Sequence, residues 1–286
     1  MFISPMLLHQ TDEPFDHKDY IFEPKADGFR LIYSYINGET KLYTRHGNEV
    51  THRFPELHDS PFDKDIILDG ELVVIDPQTG IVDFELCMTR FSSSTERTIQ
   101  SSLVELPGVY VVFDILHYNG KDLRPLPLLE RKRLLSDTIP KTNVFQPILY
   151  IEGTGTTLFD AIQNSPFREG IVAKAKNSKY VGKRSNNWLK IIDYKYCDKA
   201  VIRGFRKNEF GWLLSVEEKG YYRPAGIMEL GTSKEVRKRV YQQANKLKSH
   251  EDDNVIYLRP GLSCKVKYRN LTRKGYFRSP VFVSWN

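Results

Sequence analysis

The chain holds 286 residues, 40% of them hydrophobic and 12% aromatic, with a net charge of +6. That length suits two domains of about 100–200 residues each, and that composition excludes wholesale disorder. No apolar run approaches the ~18 residues a membrane helix needs, which argues against a membrane protein.

The start, "MFISPMLLHQTDEPF", lacks a basic leader followed by an apolar stretch, so no signal peptide is predicted. Residues 18–45, "KDYIFEPKADGFRLIYSYINGETKLYTR", read as successive strands, with "NGET" as a hairpin turn. "DIILDGELVVID" (65–76) and "GVYVVFDILHYNG" (108–120) are further strands, apolar enough to be buried. "LPLLERKRLLSDTI" (126–139) is predicted as a helix, with Leu128, Leu129 and Leu135 at roughly helical spacing. "TTLFDAIQNS" (156–165) predicts a second helix, and "EGIVAKAK" and "NNWLKIID" return to strand character. Many strands with few helices and no regular βαβ alternation predict an α+β fold with antiparallel sheets.

Composition shifts near 193–199, "DYKYCDKA". From residue 196 onward there are 19 Lys/Arg and 9 Asp/Glu, a net of +10. Residues 1–195 keep 23 of the 42 basic and 27 of the 36 acidic residues, a net of −4. Such a tail is either a solvated basic surface or a site for a polyanion. It reads as short strands plus one helix over "TSKEVRKRVYQQANKLKS", where Thr232 and Glu235 offer a capping box and Val236, Val240 and Leu247 a stripe. That pattern fits a small barrel such as an OB-fold. Cys87, Cys197 and Cys264 lie far apart without a CxxC pair, which argues against a zinc site or a disulfide scaffold and fits a reducing cytosol.

One stretch, "EPKADGFR" (23–30), sets a lysine, an aspartate, a glycine and an arginine in K-x-D-G-x-R order. On its own it is either a surface hairpin with a solvated lysine or a pocket wall, with Lys25 at a strand end and Arg30 opening the next strand. "LDGELVV" places Glu71 on an apolar strand, "REGIVAK" places Glu169 and Lys174 at the two ends of another, and "KRSNNWLKI" brings in Lys190 beside Trp188. Each is weak alone; their order together is specific.

That set resembles the covalent nucleotidyltransferases, and most closely the compact bacterial and bacteriophage ATP-dependent DNA ligases. "EPKADGFR" resembles motif I, "TRHG" (44–47) motif Ia, "ILDGELV" motif III, "VFDIL" (112–116) motif IIIa, "EGIVAK" motif IV and "KRSNNWLKI" motif V. The resemblance covers nearly the whole chain. It implies an adenylation (nucleotidyltransferase) domain over 1–193 and an OB-fold DNA-binding domain over 196–286, with Asp193–Lys195 as hinge.

The resemblance also implies roles. Lys25 would attack the α-phosphorus of ATP, activated in a cation-rich, partly desolvated pocket by Lys190 and a metal ion. Glu23 would read the adenine amino group. Phe113 would stack on the base, or is an ordinary core aromatic. Glu71 would approach the ribose or the metal, and Glu169 would help hold Mg²⁺ or Mn²⁺. Arg30 and Arg45 would hold phosphate or sugar at the nick, and Lys174 and Lys190 would stabilise charge on the α-phosphate.

Two positions depart from the family pattern. Ile192 stands where a second motif V lysine is common, so Lys190 works alone or with Lys195. The C-terminal motif is partial, leaving Arg278, with Lys274 or Arg273, to orient pyrophosphate. Neither an NAD-recognition domain nor a four-cysteine zinc finger is present in the sequence, so ATP is the expected cofactor. Nicked double-stranded DNA is the expected partner of a monomer without membrane attachment. A cytoplasmic location follows, at the nucleoid or, for a chain of phage origin, in the host. An RNA ligase or capping-type enzyme is the nearest alternative, and a non-catalytic OB-fold nucleic-acid binder the alternative of another class.

Overall fold

A computed structural model describes residues 1–140 and 142–286, which divide into two compact units, Met1–Ile192 and Asp193–Asn286. The first unit opens with strands β1 (Leu7–Gln10), β2 (Asp16–Pro24), β3 (Phe29–Ile36), β4 (Glu39–Thr44) and β5 (Ile66–Val74). Helices α1 (Phe84–Ser92) and α2 (Glu96–Glu105) follow, then β6 (Gly108–Tyr118), β7 (Lys121–Asp122), α3 (Leu128–Thr138), β8 (Phe145–Pro147) and β9 (Ile151–Thr154). Helix α4 (Gly155–Ala161), β10 (Gly170–Ala175) and β11 (Arg184–Ile192) complete the unit.

These strands form two sheets, in the orders β1-β11-β10-β2-β9 and β4-β3-β5-β6-β7, with β8 also on β6. Pairing is antiparallel except β1 with β11 and β6 with β8, so the antiparallel expectation holds for the body of each sheet but not for these two pairs. Ile21 from the first sheet packs in one cluster with Ile32, Ile67 and Leu116 from the second, so apolar faces of the two sheets share a core. The second sheet buries its other face too, through Leu31, Tyr33, Leu68, Leu72 and Tyr110. That is why β5 and β6 read as near-continuous apolar runs rather than alternating ones.

The second unit contains β12 (Lys195–Arg206), β13 (Trp212–Glu218), β14 (Tyr221–Met228), α5 (Lys234–Leu247), β15 (Lys248–Glu251), β16 (Val255–Leu258), β17 (Ser263–Tyr268) and β18 (Val281–Trp285). Strand β12 carries β13 on one edge. Its other edge is shared: residues 195–201 pair with β17 and residues 204–206 with β16. Register shifts at Cys197/Ala200 and Ile202/Gly204 mark where the strand bends to serve them. Helix α5 buries Val240 and Ala244, and Val236 and Leu247 pack on the same core.

Three features differ from the sequence reading. The cap of α5 is Ser233, whose hydroxyl accepts from the Val236 amide, whereas the Thr232 hydroxyl is taken by the Arg237 guanidinium. Helix α1, capped by Asp83, is absent from that reading. So is α2, whose capping box pairs Thr95 with Thr98 in place of the usual acidic partner. No helix among the described residues is long and apolar enough to cross a membrane.

Candidate active site

The turn between β2 and β3 carries Lys25, Ala26, Asp27 and Gly28. Two close backbone approaches fix it. The Lys25 amide donates to the Gly170 carbonyl at 2.8 Å, which ties the turn to the start of β10. A Cβ on Gly28 would lie 1.9 Å from the Leu72 carbonyl oxygen, so only glycine lets the turn lie on β5. Gly170 has φ +141° and equally little room, with the Ile191 carbonyl oxygen 2.0 Å from where a Cβ would sit. Glycine at both places lets three strands bring their charged residues together.

They converge on a crevice of about 50 Å³ whose lining includes Glu23, Lys25, Arg30, Glu71, Phe113 and Lys174. The Lys25 ammonium lies 2.5 Å from an oxygen of the buried Glu169 carboxylate. Burial opposes the charge on Lys25, yet Glu169, Glu71 and Asp27 outweigh it and raise the lysine pKa. Among the protein groups around Nζ, carboxylates rather than lysines dominate the field, so the cation expected there from sequence would have to come with the metal. Burial pushes Glu71 up to about 7, with Lys25 and Arg30 pulling down and Glu169 and Asp27 pushing up. Its Oε1 also accepts from the Gly28 amide at 3.3 Å.

A second charged group sits deeper. Glu23 is buried between Lys174, at 2.7 Å, and Lys132 of α3, which forms the other ion pair. Burial lowers the Lys174 pKa to about 8, against the pull of Glu23. Its ammonium lies 4.4 Å from the Phe113 ring centroid and 4.1 Å from that of Trp188. Arg30 is 5.0 Å from the Phe113 centroid and is anchored by two hydrogen bonds to the buried Asp69, at 2.8 and 2.5 Å. Asp69 also accepts from the Tyr180 hydroxyl at 2.6 Å. Arg30 is thus a fixed wall of the crevice, with one edge already committed to a carboxylate.

The structure places the other candidates elsewhere. Lys190 pairs in register with Val172, itself in the crevice lining, so Lys190 shares that face of the sheet one step beyond the lining residues. Arg45 is exposed after β4, 3.3 Å from the His46 ring. Arg278 belongs to the second unit, its amide donating to the Asn270 carbonyl. Sequence reasoning missed Lys132, and a signal for it exists. Leu128, Lys132 and Leu135 share one helical face, so a lysine falls on the buried stripe and demands a buried anion.

The family model described as ATP dependent DNA ligase domain matches residues 5–191. The SPbeta prophage-derived DNA ligase-like protein LigB of Bacillus subtilis is 40% identical across 100% of this chain and 99% of its own length. The multifunctional non-homologous end joining protein LigD of Pseudomonas aeruginosa is 28% identical across 98% of this chain, which covers 35% of that longer protein. Among solved structures, a Lig E DNA ligase aligns with a TM-score of 0.68 at 16% identity, covering 100% of both chains, a likeness of fold.

Proposed function

The chain belongs to the ATP-dependent DNA ligases, and from that premise we propose that Lys25 is the residue that carries AMP from ATP to the nick. The observation behind this is the placement of Lys25 at the mouth of a crevice, against Glu169 and beside Glu71, with Glu23 and Lys174 deeper in. In the first step Nζ forms a bond to the α-phosphorus while the bond to the β-phosphate oxygen breaks and pyrophosphate leaves. In the second, AMP passes to the 5′-phosphate and the lysine amine is regenerated. In the third, the 3′-hydroxyl oxygen attacks that phosphate, AMP leaves, and the strand is sealed. Splitting the reaction through a covalent intermediate replaces one difficult step by easier ones.

The residues divide that work. Glu23, pinned between two lysines, presents a carboxylate to the adenine amino group. Phe113 offers its ring to the base. Lys174 and Lys190 stabilise negative charge at the α-phosphate. Arg30 and Arg45 hold phosphate or sugar at the nick, and Arg278 orients the leaving pyrophosphate. Lys25 must lose its proton before it attacks, and Glu169, at 2.5 Å, is the group placed to hold that proton.

Glu71 and Glu169 fit Mg²⁺ or Mn²⁺. The raised Glu71 pKa reports crowded carboxylates whose desolvated charge a cation would offset. These two carboxylates would hold the ion, since oxygen ligands suit so hard a cation. When bound, the ion supplies positive charge that weakens the hold of the carboxylates on the Lys25 proton.

We assign the first unit as the adenylation domain and the second as an OB-fold domain that grips duplex DNA without reading sequence. Support comes from the bent β12, shared among three partner strands, and from the +10 net charge of residues 196–286. The protein would act as a monomer. The test is sealing of a nicked duplex with ATP. Lys25→Ala should lose sealing entirely while melting cooperatively like the parent; sealing by that variant sinks the assignment.

A further inference from the structure

The second unit holds a groove whose lining includes none of the residues given a ligation role above. It encloses about 630 Å³ on one face of the strands β14-β13-β12-β16-β15. Aromatic rings dominate it: Tyr222 of β14, His250 of β15, Tyr257 of β16, and Tyr276 and Phe277 from the segment before β18. His250 and Tyr257 stack face to face, centroids 4.4 Å and planes 10° apart. Across the groove, the Arg203 guanidinium lies 4.7 Å from the Tyr222 centroid, its Nε held by the Leu258 carbonyl at 2.9 Å. Tyr276 remains 38% exposed and Ile227 39%. A soluble surface carries this much open apolar area only where something covers it.

Charge narrows what that something is. Arg203 is the charged residue of the lining, which includes no Asp or Glu; the neighbouring Asp252 and Glu217 are engaged by the hydroxyls of Tyr257 and Tyr222, at 3.1 and 3.5 Å. The occupant is therefore flat, apolar on its faces and attached to an anionic chain. An unpaired nucleobase has those properties: every base offers a π-face, and rings plus arginine bind it with little regard to sequence. A base inside a duplex has both faces stacked and cannot enter. We infer that this groove captures unpaired bases of a single strand, such as a flap or overhang beside the break, apart from the grip on duplex. The inference rests on the second unit being a DNA-binding domain.

The test uses the whole protein and three dye-labelled duplexes: one nicked, one nicked with a short thymidylate flap, and one with a flap of abasic units of equal length. Fluorescence anisotropy should show the thymidylate flap binding about tenfold more tightly than the abasic one, the weight of one base–ring stack. Tyr222→Leu and Tyr257→Leu should each erase that difference while affinity for the plain nick and its sealing stay at the parent level. Tyr276→Leu, at the exposed rim, should reduce it and serves if either other variant melts early. Equal binding of both flaps by the parent overturns the inference. So does an equal loss on the plain nick, which would make the groove part of the duplex grip. Failure of the ligase reading itself would appear separately, as no sealing of the plain nick by the parent.

Discussion

On the proposed reading, Lys25 is a nucleophile stored in its unreactive form. Three carboxylates hold its proton against the effect of burial. Activation then requires a change in the charge around it, which on the same reading a cation held by Glu169 and Glu71 would supply. Glu71 makes this visible without catalysis. Its pKa rises from 4.5 unfolded to about 7 folded, so the folded protein binds the extra proton. That stability is fully present below 4.5 and is lost as pH rises through about 7. Thermal melting of the metal-free protein should thus fall across this window more steeply in the parent than in Glu71→Gln, and Mg²⁺ should narrow the gap above it. Parallel melting curves would show that Glu71 carries no strained charge. The sequence displayed both carboxylates and the lysine in their motifs. The sign of the field at Lys25 was not legible, because it depends on which side chains meet in space: Lys190 falls outside the crevice lining, while Asp27 reaches its field.

At the scale of elements, the site depends on places where backbones nearly touch. Gly28 and Gly170 let the motif I turn lie against β5 and β10, and the Lys25 amide bonds to the Gly170 carbonyl. Gly170→Ala would force a Cβ against the Ile191 carbonyl in a conformation unsuited to L side chains, at a cost of about 1–3 kcal/mol. Denaturant unfolding should show a lower midpoint, and transfer of AMP to the protein should slow, since the turn bearing Lys25 shifts with it. An unchanged midpoint would mean the backbone relaxes without strain. Strands with such motifs were readable because apolar runs and turn residues mark their ends. Helices α1 and α2 were not, because "FELCMTRFS" and "ERTIQSSLVE" lack the run of leucines that marks α3 and are held by local caps at Asp83 and Thr95. Lys132 hid for a related reason: in "ERKRLL" it looks like one more solvated charge until the turn of the helix sets it beside Leu128 and Leu135.

For the molecule as a whole, the composition shift near 193–199 lies beside the division between Ile192 and Asp193. The +10 of the second part has a measurable consequence. If that part grips backbone phosphates, affinity for a nicked duplex should fall linearly with salt on logarithmic axes, by about 0.9 per phosphate contact. A salt-independent affinity would remove the electrostatic grip. The chain matches nearly the full length of LigB but about a third of LigD. The central claim remains the covalent one, and mass spectrometry of the intact protein after incubation with ATP and Mg²⁺ tests it most directly. The account predicts a gain of one AMP, ~329 Da, located on Lys25 by peptide mapping; an unchanged mass, or AMP on another residue, would contradict it.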